Sequence, residues 1–156
     1  MGPPVPILPE AKKLAKNRLI HVFGSAGKRD TYKRPEMGSL SAKYADIIIL
    51  TSEDPRTEPI EKINKDILGG VKDNRFLIVD GTEIKTDTQN VKHAKYIYVI
   101  PDRKKAVTFA IDLAQKGDVV LMTGKGHEKS MNYGKGEEAW DENETAVAAL
   151  QNRKLL

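Results

Sequence analysis

Three short segments of this sequence combine residue types that can do chemistry. The first is Gly24-Ser25-Ala26-Gly27-Lys28-Arg29-Asp30, followed closely by Lys33-Arg34-Pro35. A glycine-rich turn lets backbone amides and cations come close to an anion. It is not a Walker A loop, because no Ser or Thr follows Lys28, and the Gly-x-Gly-x-x-Gly dinucleotide pattern is absent. On physics alone it serves as a tight turn or as an anion cradle. The second segment is Thr51-Ser52-Glu53-Asp54-Pro55-Arg56. Asp-Pro makes a β-turn, and a guanidinium beside that turn is shaped for bidentate contact with a carboxylate. The third is Gly124-Lys125-Gly126-His127-Glu128, where two glycines expose the backbone beside a cation, a titratable ring and an anion. A lone histidine is commonly structural or solvated, but the whole pentapeptide reads as a ligand loop. None of the three has metal-ligand spacing, and no metal site is expected.

The elements that must position these segments follow from hydrophobic periodicity. Short apolar runs at Leu19 to Phe23, Ile47 to Leu50, Phe76 to Val79, Tyr96 to Ile100 and Val119 to Met122 read as strands. Between them lie helical patterns at residues 35–45, from residues 57–59 to the stop at Gly69-Gly70, and from a cap at Asp102 to Gly117; a last helix covers residues 142–150. Residues 80–95 fit neither pattern and are expected to be an irregular connection. Near-continuous apolar strands alternating with amphipathic helices predict an α/β fold: a Rossmann-like, doubly wound, mostly parallel sheet with helices on both faces. Ligands gather at the C-terminal ends of such strands, where all three segments fall.

Composition narrows the function classes. The chain has 156 residues and no cysteine, so one domain is expected, without disulfides or thiolate metal sites. No apolar run approaches a membrane span, and the Met-Gly-Pro-Pro-Val-Pro start lacks a signal-peptide pattern. Residues 1–8 are read as a linker and residues 9–156 as the domain, in a cytoplasmic setting. The net charge of +4 is uneven: nine Lys/Arg stand against three acids between Glu10 and Lys43. Such a face attracts anions. Aromatic residues are not interleaved with it and no groove-reading motif accompanies it, so nucleic acid is not the expected partner.

In this order and spacing, the three segments resemble the C-terminal domain of the Mur ligases, of the MurE type, over residues 16–150. The resemblance implies an ATP-dependent ligase of peptidoglycan precursor synthesis. Such an enzyme joins diaminopimelate or L-lysine to UDP-MurNAc-L-Ala-D-Glu. It also implies that ATP and Mg2+ are bound mainly by a central ATPase domain whose motifs this sequence does not contain. The isolated chain is therefore expected to be inactive, a monomer that works with that central domain and contributes no catalytic residue. By the same resemblance, Arg29 contacts a carboxylate of the incoming amino acid and Arg56 its distal carboxylate. Gly124 and Glu128 receive the distal ammonium, and Glu53 and Asp54 complete the substrate-binding set. Lys28, Asp30, Lys125 and His127 are expected nearer the nucleotide.

Two positions depart from the family pattern. Glu53-Asp54 replaces an Asp-Asn pair, so Asp54 puts an anion where an amide usually sits, able to repel a carboxylate or attract an ammonium. Lys28 stands where an aspartate near the ribose is usual, and lysine cannot accept a hydrogen bond from a hydroxyl. Arg56 favours diaminopimelate over lysine. The alternative is a stand-alone Rossmann-like module that binds a nucleotide or a protein without ligase activity.

Overall fold

The apolar runs at residues 19–23, 47–50 and 96–99 are continuous because both faces of the sheet are covered there, while Leu77 and Ile78 at the sheet edge are exposed. The computed structural model describes residues 7–80 and 95–153. Among these residues the main sheet has five strands, β1 (Leu19–Phe23), β2 (Ile47–Leu50), β3 (Phe76–Asp80), β4 (Lys95–Val99) and β5 (Val119–Met122), in the order β3-β4-β2-β1-β5. Every neighbouring pair is parallel. Five helices accompany them: α1 (Ile7–Leu14), α2 (Arg34–Tyr44), α3 (Ile60–Leu68), α4 (Arg103–Leu113) and α5 (Glu142–Asn152).

Alternation along each strand sorts the core into two layers. Leu19, Phe23, Ile48, Leu50 and Ile97 pack with Leu8 of α1, Ala42 of α2, and Ile63 and Ile67 of α3. On the other face Ile20, Val22, Ile47, Ile49 and Tyr98 pack with Ala106, Ala110 and Leu113 of α4. Helix α5 lies on α4 through Val107, Ile111, Ala146 and Ala149. This is the doubly wound parallel sheet expected from the sequence.

The local expectations hold with small shifts. Asp102 caps α4 by accepting the Lys105 amide at 3.2 Å. Helix α3 begins at Ile60 rather than at residues 57–59, because the chain first makes a turn in which the Glu58 amide donates to the Pro55 carbonyl at 3.1 Å. Helix α1 begins at Ile7, within the segment read as linker, and buries Leu8 and Ala11 three residues apart on one face. The irregular connection expected over residues 80–95 falls largely on residues 81–94, outside the described residues. The sequence reading missed a small antiparallel hairpin of β6 (Ser130–Asn132) and β7 (Glu137–Ala139). Among the described residues, no helix is long and apolar enough to cross a membrane.

Candidate functional site

Parallel strands bring their C-terminal ends to one edge of the sheet. Because β1 lies between β2 and β5, the loops after these three strands become neighbours. The loop after β1 and the loop after β2 touch backbone to backbone. The Gly27 amide donates to the Asp54 carbonyl at 2.9 Å, and a Cβ on Gly27 would stand 1.9 Å from the Pro55 carbonyl oxygen. Glycine is the residue that permits this approach. Four non-glycine residues in these two loops, Lys28, Asp30, Asp54 and Arg56, have left-handed backbones with φ between 42° and 57°. Such conformations cost on the order of 1–3 kcal/mol each and persist where surrounding contacts over-determine them.

Those contacts are electrostatic. Arg34, fully buried, donates to Glu58 Oε2 at 2.6 Å and Oε1 at 2.9 Å, to Asp66 at 3.0 Å and to the Ala26 carbonyl at 3.1 Å. Glu58 in turn accepts the Lys28 amide at 2.7 Å. Arg34 holds the Glu58 carboxyl well below the usual carboxylate range. The Lys28 backbone, rather than its ammonium, is thus the group tied into the loop. Arg29 is exposed and has no hydrogen-bond or ion-pair partner among the described residues. Asp30 precedes a 3-10 turn at Thr31–Lys33.

The loop after β5 joins the loop after β2 through a second ion pair. Lys125 is 1% exposed and donates to Asp54 Oδ2 at 2.9 Å, with Glu128 at 3.6 Å. Asp54 also accepts the Asn132 amide at 2.8 Å from β6. Burial works against the Asp54 carboxylate, but the Lys125 and Asn132 hydrogen bonds outweigh it and leave its pKa below the ordinary value. The anion that departs from the family pattern is therefore neutralised internally, and so is the Lys125 cation. Gly124 has φ +106°, and a Cβ there would lie 2.5 Å from Glu53 Oε2. Exposed His127 and Glu128 complete the loop.

Arg56 is half-buried and donates one guanidinium N–H to the Gly27 carbonyl at 2.9 Å. Its amide donates to the Asn132 carbonyl at 3.1 Å, so β6 buttresses the turn that carries it. An open cavity of about 650 Å³ runs beside this turn, lined among others by Ser52, Arg56, Glu58, Asp102, Tyr133 and Lys135. The structure thus gathers Glu53, Asp54, Arg56, Gly124, Lys125 and the backbone of Gly27 and Lys28 into one cluster, and exposed Arg29 directly follows Lys28 in its first loop. It also contains Arg34, Arg103 and Glu142, which the sequence reading did not single out as site residues.

A family model described as the Mur ligase, glutamate ligase domain, matches residues 7–126. The chain belongs to the Mur ligase family. It is similar to a UDP-N-acetylmuramoyl-L-alanyl-D-glutamate--2,6-diaminopimelate ligase of Clostridioides difficile, at 39% identity over 92% of this chain and 26% of the relative. It is 43% identical to the enzyme of that name from Aquifex aeolicus, over 78% of this chain and 21% of the relative. A UDP-N-acetylmuramyl-tripeptide synthetase of Borreliella afzelii is 41% identical over 95% of this chain and 26% of its own length. A solved structure of a UDP-N-acetylmuramoyl-L-alanyl-D-glutamate--2,6-diaminopimelate ligase superposes with a TM-score of 0.72 at 31% identity, covering 93% of this chain and 26% of that one. The chain spans about a quarter of the length of these relatives.

One titratable group of this Mur ligase domain is tuned near neutrality. Burial raises the Glu53 pKa from its ordinary 4.5 to about 7, opposed by Arg103 and Lys125 and helped by Glu128 and Asp54. Between pH 4.5 and 7 the folded chain keeps a proton that the unfolded chain has released, so this group's contribution to stability falls as pH rises through that window. Glu53→Gln removes the titration. The variant is expected to melt higher than the parent above neutral pH and to lose that advantage near pH 5, as thermal melts at both pH values will read. A pH-independent difference would contradict the assignment.

Proposed function

We propose that this chain is the C-terminal, amino-acid-recognising domain of a MurE-type ligase that adds diaminopimelate, as third residue, to UDP-MurNAc-L-Ala-D-Glu. The observation that carries the reading is that the loops bearing Arg29, Arg56 and the Gly124–Glu128 segment are tied to one another at one edge of the sheet, through the Gly27 amide on the Asp54 carbonyl and the Asp54–Lys125 pair. Two guanidiniums and a carboxylate complement a ligand with carboxylates and an ammonium. Arg29, unpartnered among the described residues, is free to meet one carboxylate. Arg56 retains unused N–H donors for the distal one, and the Gly124 carbonyl and Glu128 receive the distal ammonium. Lysine has no distal carboxylate for Arg56 to hold. Because Lys125 neutralises Asp54, that anion no longer opposes a carboxylate, which favours diaminopimelate. The Clostridioides difficile and Aquifex aeolicus relatives and the solved structure all carry diaminopimelate in their names.

ATP with Mg2+ supplies the phosphoryl group that activates the precursor's free carboxylate, held mainly by a central domain outside this sequence. The present chain offers no metal cluster of His, Asp or Glu among its described residues. Its part is to present the amine of the incoming amino acid, whose attack expels phosphate and forms the amide. Lys28, Asp30 and His127 face the nucleotide side in this reading, while Lys125 is committed to Asp54. ATP and a nucleotide-linked precursor fit a cytoplasmic setting.

The test is reconstitution. This chain joined to its central domain is expected to form amide and release phosphate with diaminopimelate and UDP-MurNAc-L-Ala-D-Glu, more slowly with lysine, while the chain alone releases none. If neither amino acid supports amide formation, the proposed function is wrong.

A further inference from the structure

One buried guanidinium, that of Arg103, ties the two ligand loops together. Arg103 is the first residue of α4 and is 0% exposed. Its Nε donates to Glu142 Oε1 at 2.6 Å and one terminal nitrogen to Glu142 Oε2 at 3.1 Å. That same nitrogen donates to the Thr123 carbonyl at 3.0 Å, and the other terminal nitrogen donates to the Ser52 carbonyl at 3.0 Å. Ser52 directly precedes Glu53, and Thr123 directly precedes Gly124.

Glu142 already balances the Arg103 charge, so the two carbonyl contacts serve geometry rather than neutralisation. A guanidinium is planar and its N–H directions are fixed, so two carbonyls held by one such group have a set separation. A buried ion pair is weak evidence for stability in itself. What distinguishes this one is where its remaining donors go. The Arg103 amide also donates to Tyr133 Oη at 3.2 Å, which closes the β6–β7 hairpin over the same helix start.

We infer that the Arg103–Glu142 pair is a positioning device for the incoming amino acid, setting the span between the Glu53–Arg56 loop and the Gly124–Glu128 loop. It thereby sets the distance between the groups that hold the distal carboxylate and the distal ammonium. Arg103 touches no substrate and acts through the two loops. The inference rests on the function proposed above.

The experiment is steady-state kinetics on a full-length ligase carrying this domain, with Arg103→Lys and Glu142→Gln. Lysine keeps the charge but cannot serve two carbonyls in fixed directions. In Glu142→Gln an amide oxygen still accepts from Arg103, which makes it the milder variant and the one to read if Arg103→Lys does not fold. Each is expected to raise KM for diaminopimelate by about tenfold or more while KM for ATP and for the UDP-linked dipeptide stays within about twofold. The preference for diaminopimelate over lysine narrows in parallel. A uniform change in all three KM values, a change in melting temperature alone, or unchanged kinetics in a folded variant overturns the inference. A parent enzyme that uses neither amino acid overturns the proposed function, and this inference with it.

Discussion

Arg56→Ala in a ligase carrying this domain is expected to weaken diaminopimelate binding by roughly one to two orders of magnitude and lysine binding far less. A charge-assisted hydrogen-bond pair to a carboxylate contributes about 1.5–3 kcal/mol, and each 1.4 kcal/mol is about tenfold in affinity. Arg56 has donors to spare, because among the described residues only one side-chain N–H is used, on the Gly27 carbonyl. The side chain is half-buried and outside the core clusters, so truncation costs the fold little. The amide that donates to Asn132 stays in place. Alanine does meet strain at φ 56°, but arginine already bears it. Arg56→Lys is expected to restore only part of the affinity, since an ammonium lacks the planar fork. Calorimetric titration of both amino acids reads the result, and equal losses for diaminopimelate and lysine would remove Arg56 from the distal-carboxylate role.

The second large effect is on stability. Arg34→Met is expected to cost about 3–5 kcal/mol, because it leaves the Glu58 carboxylate, 9% exposed, without its main partner. For a domain of this size that is a fall in melting temperature of roughly 6–20 °C. Lys62 at 3.2 Å and the Lys28 amide would remain on Glu58, but neither replaces two short guanidinium bonds. The loss also frees the Ala26 carbonyl, so the loop carrying Arg29 loosens along with the fold. Arg34→Lys is expected to recover part of the loss, since it keeps a charge but not the fork. Thermal melts decide the matter. A loss under about 1 kcal/mol would mean that Glu58 rehydrates freely.

Much of this domain was legible in sequence because its layers are periodic. Five apolar runs and the helical repeats between them require a covered parallel sheet, and such a sheet puts loops at one edge. The misses have physical reasons. Helix α1 buries only Leu8 and Ala11, too few apolar positions to stand out after a proline-rich start. The β6–β7 strands are three residues each and carry Ser130, Asn132, Glu137 and Glu138, with no alternating apolar face. Asp54 was legible as an anion out of place, but its sign told nothing of its partner.

The sequence by itself determined the fold class, the three loops and the residue types they offer, because all of these depend on spacing along the chain. The tertiary structure decided which charges are available to a ligand. Lys125 and Asp54, 71 residues apart, cancel each other. Arg34 and Arg103 are buried against Glu58 and Glu142, which lie 24 and 39 residues away. Arg29 and Arg56 keep unused donors among the described residues. A charge becomes structural or functional according to what lies within about 3 Å of it, and that distance belongs to packing rather than to sequence order.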